Sequence, residues 1–154
     1  MEENLLDELD LKILSIISQN ARTPFKEVAE ACGVSRAAIH QRVQKMFDNG
    51  TILGSGYQIN PKRLGYNLCA YVGLTLDTGK AYYSVSKELE AIPEIVESVF
   101  TLGAFGILVK LYARDNEHLL HILNDQILEI PHVTNTETLA ILDQRIARPL
   151  PIGK

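Results

Sequence analysis

The sequence predicts an α+β chain: a three-helix domain first, then a domain of βαββαβ order. Three observations carry this expectation. Residues 1–50 hold apolar stripes at helical spacing, separated by helix stops. From Leu68 onward, short apolar or alternating runs take turns with helical stripes. Between them, Asn60-Pro61-Lys62-Arg63-Leu64-Gly65-Tyr66 is turn-rich and marks a change of register. The expected domains are therefore 1–50, a linker strand and hinge over 51–66, and 67–154.

The first helix opens at Asp7, an N-cap with Asp10 three residues on. Leu9, Ile13, Ile16 and Ile17 form its stripe. Asn20-Ala21-Arg22-Thr23-Pro24 ends it, and Pro24 is expected at the first position of the next helix. That second helix, Phe25 to Cys32, buries Val28, Ala29 and Cys32. Gly33 takes the positive φ that stops a helix, a conformation few other residues adopt cheaply. Ser35 follows as an N-cap whose hydroxyl accepts from a backbone N–H. Small Ala29, four residues before Gly33, lets two helices approach closely at a steep angle. Helix, sharp turn and helix in this order form a helix-turn-helix, with or without a β wing after it.

The third helix, Arg36 to about Asn49, is expected to turn Ile39, Val43, Met46 and Phe47 inward. Arg36, Ala37, His40, Gln41, Gln44 and Lys45 gather on another arc. Arg binds guanine bidentately, Gln pairs with adenine, and Ala meets a thymine methyl, so such an arc suits a major groove. A solvated surface is the bland alternative, and the Gly33-Val34-Ser35 punctuation favours the DNA reading. Arg42 falls off the arc; contact with phosphate and pairing with an acid inside the domain both remain open.

Residues 51–59 read as extended, a β wing or linker strand weakened by Gly54 and Gly56. Leu68 to Leu76 is an apolar strand. Lys80 to Ile92 reads as a helix with Tyr83, Val85 and Leu89 inward, stopped by Pro93. Ile95 to Leu102 alternates like a strand, Gly103-Ala104-Phe105-Gly106 is a hairpin-sized turn, and Ile107 to Ala113 is another strand. Asp115 caps a helix through Glu129 that buries Leu119, Leu120, Leu123 and Ile127. Val133 to Leu142 is a Thr-rich strand. The order is that of a ferredoxin-like sheet. Its helix-free face would carry Tyr71, Gly73, Leu108 or Val109 and the Thr-rich strand, apolar enough to expect a second copy of the chain on it. The tail from Arg148, with Pro149 and Pro151, reads as an arm.

Composition narrows the function. The net charge of −4 divides unevenly. Residues 1–22 carry five acidic against two basic groups, 23–66 carry six basic against three acidic, and 67–154 carry eleven acidic against seven basic. The positive segment surrounds the helix-turn-helix, as a modest nucleic-acid footprint requires. No apolar run is long enough to span a bilayer. The start, Met1-Glu2-Glu3-Asn4, lacks a basic n-region, so a cytoplasmic chain without a secretory signal is expected. Cys32 and Cys69 have no CxxC spacing and read as buried thiols. Gly54-Ser55-Gly56 is not a dinucleotide fingerprint, and Thr78-Gly79-Lys80 lacks the upstream glycine of a P-loop. His118 and His121 share a helix face without a third metal ligand. No catalytic set, metal site or cofactor is expected.

The chain resembles the Lrp/AsnC (feast/famine) transcriptional regulators, with most similarity to the asparagine-regulator type. The resemblance rests on Leu6-Asp7 with Asp10 and Ile13-Leu14, on Asn20-Ala21-Arg22, Gly33-Val34-Ser35, Arg42-Val43 and Gly50-Thr51-Ile52. It continues through Pro61 with Leu64-Gly65-Tyr66, Thr101-Leu102-Gly103 and Thr136-Glu137-Thr138. It implies a DNA-binding regulator with Ser35, Arg36, Ala37, His40, Gln41, Arg42, Gln44 and Lys45 at double-stranded DNA. It also implies homodimers joined through the C-terminal sheets and assembled into octamers. A small effector, usually an amino acid, is implied at Leu102, Gly103, Ala104, Phe105 and Gly106, facing Thr136, Glu137 and Thr138. A glycine turn offers backbone N–H groups to a carboxylate. Glu137 is then either the partner of an ammonium or a member of an ordinary ion pair. Ala104-Phe105-Gly106 stands where such regulators often carry a polar residue. The competing reading is a small-molecule-sensing assembly module that does not bind DNA. RNA binding is disfavoured because Ile107 to Ala113 offers only Tyr112 for stacking.

Overall fold

The computed structural model describes residues 6–153; the acidic start Met1–Asn4 and the last residue, Lys154, lie outside the described residues. The chain forms two compact units, residues 1–58 with 146–154, and residues 59–145.

The first unit holds α1 (Glu8–Ile17), α2 (Phe25–Cys32) and α3 (Arg36–Asp48). Asp7 and Asp10 form the reciprocal capping box at the start of α1. Helix α2 has the expected bounds, but Pro24 stands at the cap rather than at the first helical position. At its other end Gly33 has φ 70°, its N–H donates to Glu30 O, and Val34 N–H donates to Ala29 O. This pair of bonds is a Schellman closure, which leaves the chain aimed into α3. Ser35 Oγ accepts from Ala38 N at 3.1 Å and starts α3. Ile13, Leu14, Val28, Ala29, Ile39, Val43 and Met46 make the core of the unit.

Several expectations are corrected here. Phe47 is 41% exposed. At about 100° per residue it lies some 40° past Val43 and on the flank of the polar arc, so the stripe closes without it. Cys32 and Cys69 are only half-buried and both are free thiols. Residues 51–59 bend at Thr51 and Ile52 and belong to no strand. Among the described residues the first unit offers no strand to pair with, and Gly54 and Gly56 weaken any ladder. The tail, expected within a 67–154 domain, belongs with the first unit, where Ile152 packs against its core. Pro149 and Pro151 keep that segment extended.

The second unit is a four-stranded antiparallel sheet of order β2-β3-β1-β4. Its strands are β1 (Leu68–Leu76), β2 (Ile95–Phe100), β3 (Ile107–Ala113) and β4 (Val133–Ala140), with helices α4 (Tyr82–Leu89) and α5 (Asn116–His121). Ala70, Val72 and Leu74 alternate inward from β1 and meet Ile107, Val109, Leu111, Val85, Leu89, Ile122 and Ile127. Tyr83 is 82% exposed; two residues before inward Val85, it points away on a helical period, and Ala81 and Tyr82 take the inward places instead. Leu120 is likewise exposed and Ile122 buried. From Ile122 to Ile127 the helix widens to π winding, with Leu128 N–H donating to Leu123 O, so the inward face shifts along the chain.

The other sheet face carries Tyr71 and Gly73 of β1 and Leu108, Lys110 and Tyr112 of β3, by the cross-strand register. Val109 points into the core, which decides between the two residues offered. The ammonium of Lys110 lies 5.9 Å from the ring centres of both Tyr71 and Tyr112, with Glu97 3.8 Å away. Burial pushes the Tyr112 phenol up.

Candidate nucleic-acid interface and ligand face

On α3, Arg36, Ala37, His40, Gln41, Gln44 and Lys45 are all exposed, while Ile39, Val43 and Met46 are buried. The division follows from the helical period alone. Within the arc the side chains are not equivalent. The His40 ring stands edge-on to Phe25 at 5.8 Å between centres, so α2 orients it. Gln44 Nε2 donates to Asp48 Oδ1 at 2.9 Å, one turn along. Arg36, Gln41 and Lys45 have no side-chain ion pair or hydrogen bond among the described residues. Ser35 spends its acceptor on the helix cap.

Arg42, off the arc, is held by acids at the start of α1. Its Nη1 donates to Asp7 Oδ2 at 2.6 Å and to Asp10 Oδ1 at 2.9 Å. Of the two roles open to it, the structure shows the internal acid pair, which ties the start of α1 to the middle of α3. The Arg42 guanidinium, with the Asp10 backbone N–H, holds the Asp7 carboxyl below its ordinary range. Arg42 is raised in turn by hydrogen bonds to Asp7 and Asp10.

In the second unit the turn between β2 and β3 is held at its base. Thr101 N–H donates to Gly106 O at 3.1 Å, Thr101 Oγ1 donates to Phe105 O at 2.5 Å, and Gly106 N–H donates to Leu74 O at 3.0 Å. Leu102, Gly103 and Ala104 stand exposed at the tip, Leu102 at 99%. Phe105 is half-buried and lies against Gly73. Gly73 is also the cross-strand partner of Glu137.

Two family matches, one in each half of the chain, decide the family. Residues 6–46 match the AsnC-type helix-turn-helix domain, and residues 69–151 match the Lrp/AsnC ligand binding domain. The chain belongs to the Lrp/AsnC family. It is 38% identical to regulatory protein AsnC of Escherichia coli K12 over 150 residues, 97% of this chain and 99% of that one. The solved structure of E. coli AsnC superposes with a TM-score of 0.90 over 95% of this chain and 98% of that one. The HTH-type transcriptional regulator FL11 of Pyrococcus horikoshii is 34% identical over 137 residues, 89% of each chain. A Neisseria meningitidis transcriptional regulator, solved as a complex with L-methionine, shares the fold at TM-score 0.89 and 20% identity, covering 96% of this chain and 97% of that one.

As a member of this family the chain is a transcriptional regulator, with a helix-turn-helix domain for DNA and a ligand-binding domain behind it. Along β4 the trio Thr136, Glu137 and Thr138 alternates between the two faces of the sheet. Thr136 and Thr138 pair with Leu74 and Val72 and so share their helix-covered side, while Glu137 shares the open side with Gly73. Glu137 is exposed and in no ion pair among the described residues, which leaves its carboxylate available. His118 and His121 do not converge on a metal. His118 Nε2 lies 3.3 Å from Glu94 while His121 Nδ1 lies 2.7 Å from Asp125, and no metal-holding cluster occurs among the described residues. No helix among those residues is long and apolar enough to cross a membrane. Sequence reasoning missed Phe25, whose contact with His40 joins two helices and leaves no local signature.

Proposed function

We propose that this regulator reads double-stranded DNA through the α3 arc and changes its assembly or DNA affinity when an amino acid binds the second unit. Arg36, His40, Gln41 and Gln44 supply base-edge donors, Ala37 gives apolar contact with a methyl group, and Lys45 and the Ser35 end of the helix meet the backbone. Arg42 acts behind them as the strut between α1 and α3. The observation that carries the reading is the arc itself: a surface with long donors, no acid before Asp48, and a buried stripe opposite.

The effector site is assigned to Leu102, Gly103, Ala104, Phe105 and Gly106, with Glu137 opposite and Thr136 and Thr138 flanking it along β4. Exposed backbone N–H groups of the turn suit a carboxylate, and Glu137 suits an ammonium. L-Methionine in the Neisseria relative supports an amino acid as the class. The open sheet face, with Tyr71, Leu108 and Leu139, supports a homodimer, and pairs assemble further to an octamer. Two measurements test this. Electrophoretic retardation on the DNA upstream of the chain's own coding sequence should show a salt-sensitive complex; no retardation there or on related operators favours the assembly module without DNA binding. A thermal-shift panel of the twenty L-amino acids should show a selective rise in melting temperature, and a flat panel removes the effector assignment.

A further inference from the structure

Gly73 sits in the middle of β1 with ordinary extended geometry, so backbone conformation does not require a glycine there. Space does. A Cβ built at Gly73 falls under 3.0 Å from Cγ, Cδ1 and Cδ2 of Phe105, closer than real Cβ atoms approach anything. The obstacle is the root of the ring, where Cγ joins the side chain to its own Cβ, so swinging the far edge of the ring does not relieve it. By contrast, a Cβ at Gly103, in the turn itself, meets nothing within 4 Å.

Three ties therefore converge on the base of the turn, and two end on neighbouring residues of β1. The Phe105 ring rests on Gly73, Gly106 N–H donates to Leu74 O, and Thr101 Oγ1 donates to Phe105 O. Since Gly73 also faces Glu137 across the β1–β4 pair, the spot that fixes the turn is the spot beside the free carboxylate. We propose that Gly73 is a positioning residue for the effector site. Its missing side chain gives the Phe105 ring a seat, and the seated ring holds the Leu102–Ala104 tip at a fixed distance from Glu137. This rests on the effector assignment above and adds the residue that sets its geometry.

The test is a double-mutant cycle in the full chain: Gly73→Ala, Phe105→Ala, Phe105→Tyr and the double variant G73A/F105A. Ligand affinity is measured by calorimetric titration with the twenty L-amino acids, L-methionine first. Hydrogen exchange of the Gly106 amide reports the seat without ligand, and the mass in solution reports assembly. Overpacking at Gly73 is expected to weaken binding of the responding amino acid roughly tenfold or more, and to speed Gly106 exchange by a similar factor. Phe105→Tyr, which keeps the ring on Gly73, should keep the wild-type exchange rate of the Gly106 amide. In the Phe105→Ala background, adding Gly73→Ala should cost nothing further, because the ring it acts through is gone. Wild-type affinity and Gly106 protection in Gly73→Ala overturn the proposal. So do fully additive effects in the cycle, or a change in solution mass, which makes Gly73 an interface residue instead. If no amino acid binds the wild type, the effector assignment fails separately, and Gly106 exchange still decides whether Gly73 seats the turn.

Discussion

Gly33 offers a sharp test of how the helix-turn-helix is built. Its φ of 70° lies in the left-handed region, and a Cβ there would meet nothing within 4 Å. Gly33→Ala therefore introduces no clash, only the cost of holding an L-residue in that region, about 1–2 kcal/mol. Asparagine tolerates the conformation better, so Gly33→Asn should lose roughly half as much. Native-state hydrogen exchange of the buried Val28 and Ile39 amides reads the opening free energy of the unit. A domain of this size should also lose about 4–8 °C in melting temperature per kcal/mol. DNA affinity, measured well below the transition, should stay within about twofold of wild type for both variants, because the Schellman bonds and the α3 arc survive. If Asn costs as much as Ala, the left-handed requirement is not what makes glycine necessary. A loss well above about 3 kcal/mol would instead demand a steric conflict, which the open space around Gly33 rules out.

The other predictions concern the α3 surface, its strut and the tail. Arg36→Ala should cost about 1–3 kcal/mol of discrimination at one base position in a binding-site selection, and an unchanged preference removes Arg36 from the reading set. Lys45→Ala should weaken binding evenly across sequences and flatten the plot of log affinity against log salt by about 0.9. Arg42→Ala should leave that slope unchanged while lowering the melting temperature. The pH dependence follows from the same strut. Because pairing lowers Asp7 in the folded state, its stabilisation is present above the ordinary aspartate value of 3.8 and lost as pH falls through the lowered one. Melts between about pH 5 and pH 2, a range that brackets the ordinary aspartate value, should show less acid sensitivity in Asp7→Asn than in wild type. Ile152→Ala should destabilise the first unit by about 1–2 kcal/mol, below the ~2–5 kcal/mol of a fully buried site, because Ile152 is half-buried; calorimetry showing no loss would mean the tail does not hold there.

What was legible in the sequence is what depends on neighbours along the chain. The capping box at Asp7 and Asp10, the Gly33 stop, the Ser35 cap and the buried side of α3 each need only a few consecutive residues. The strands over Leu68–Leu76 and Ile107–Ala113 declared themselves by apolar content and length. Errors arose where a pattern was stretched by one residue, as with Tyr83 for Tyr82, or where a helix left the ordinary period, as in the π winding that buries Ile122 in place of Leu120. The rest was hidden because its partners are distant in sequence. Arg42 meets Asp7 and Asp10 across more than thirty residues, Phe105 seats on Gly73 across a strand pair, and Ile152 returns from the far end of the chain.

The strut also changes how the charge pattern is understood. Counted along the chain, residues 1–22 are acidic and residues 23–66 basic, but Arg42 offsets one of the two charges of Asp7 and Asp10 within the first unit. Apart from the paired Arg42, Arg36 and Lys45 are the formal positive charges of α3. With Arg36 proposed at base edges and Lys45 at phosphate, the arc releases few counterions, a slope of only about −0.9 per copy. Such a footprint binds weakly alone, and a second arc on a neighbouring half-site roughly doubles the slope and raises the effective concentration of each reader. In the proposed homodimer, pairing through the sheet domain is what supplies that second arc. A ligand that alters how the sheet domains assemble then has a direct route to DNA affinity, without any change in the α3 side chains.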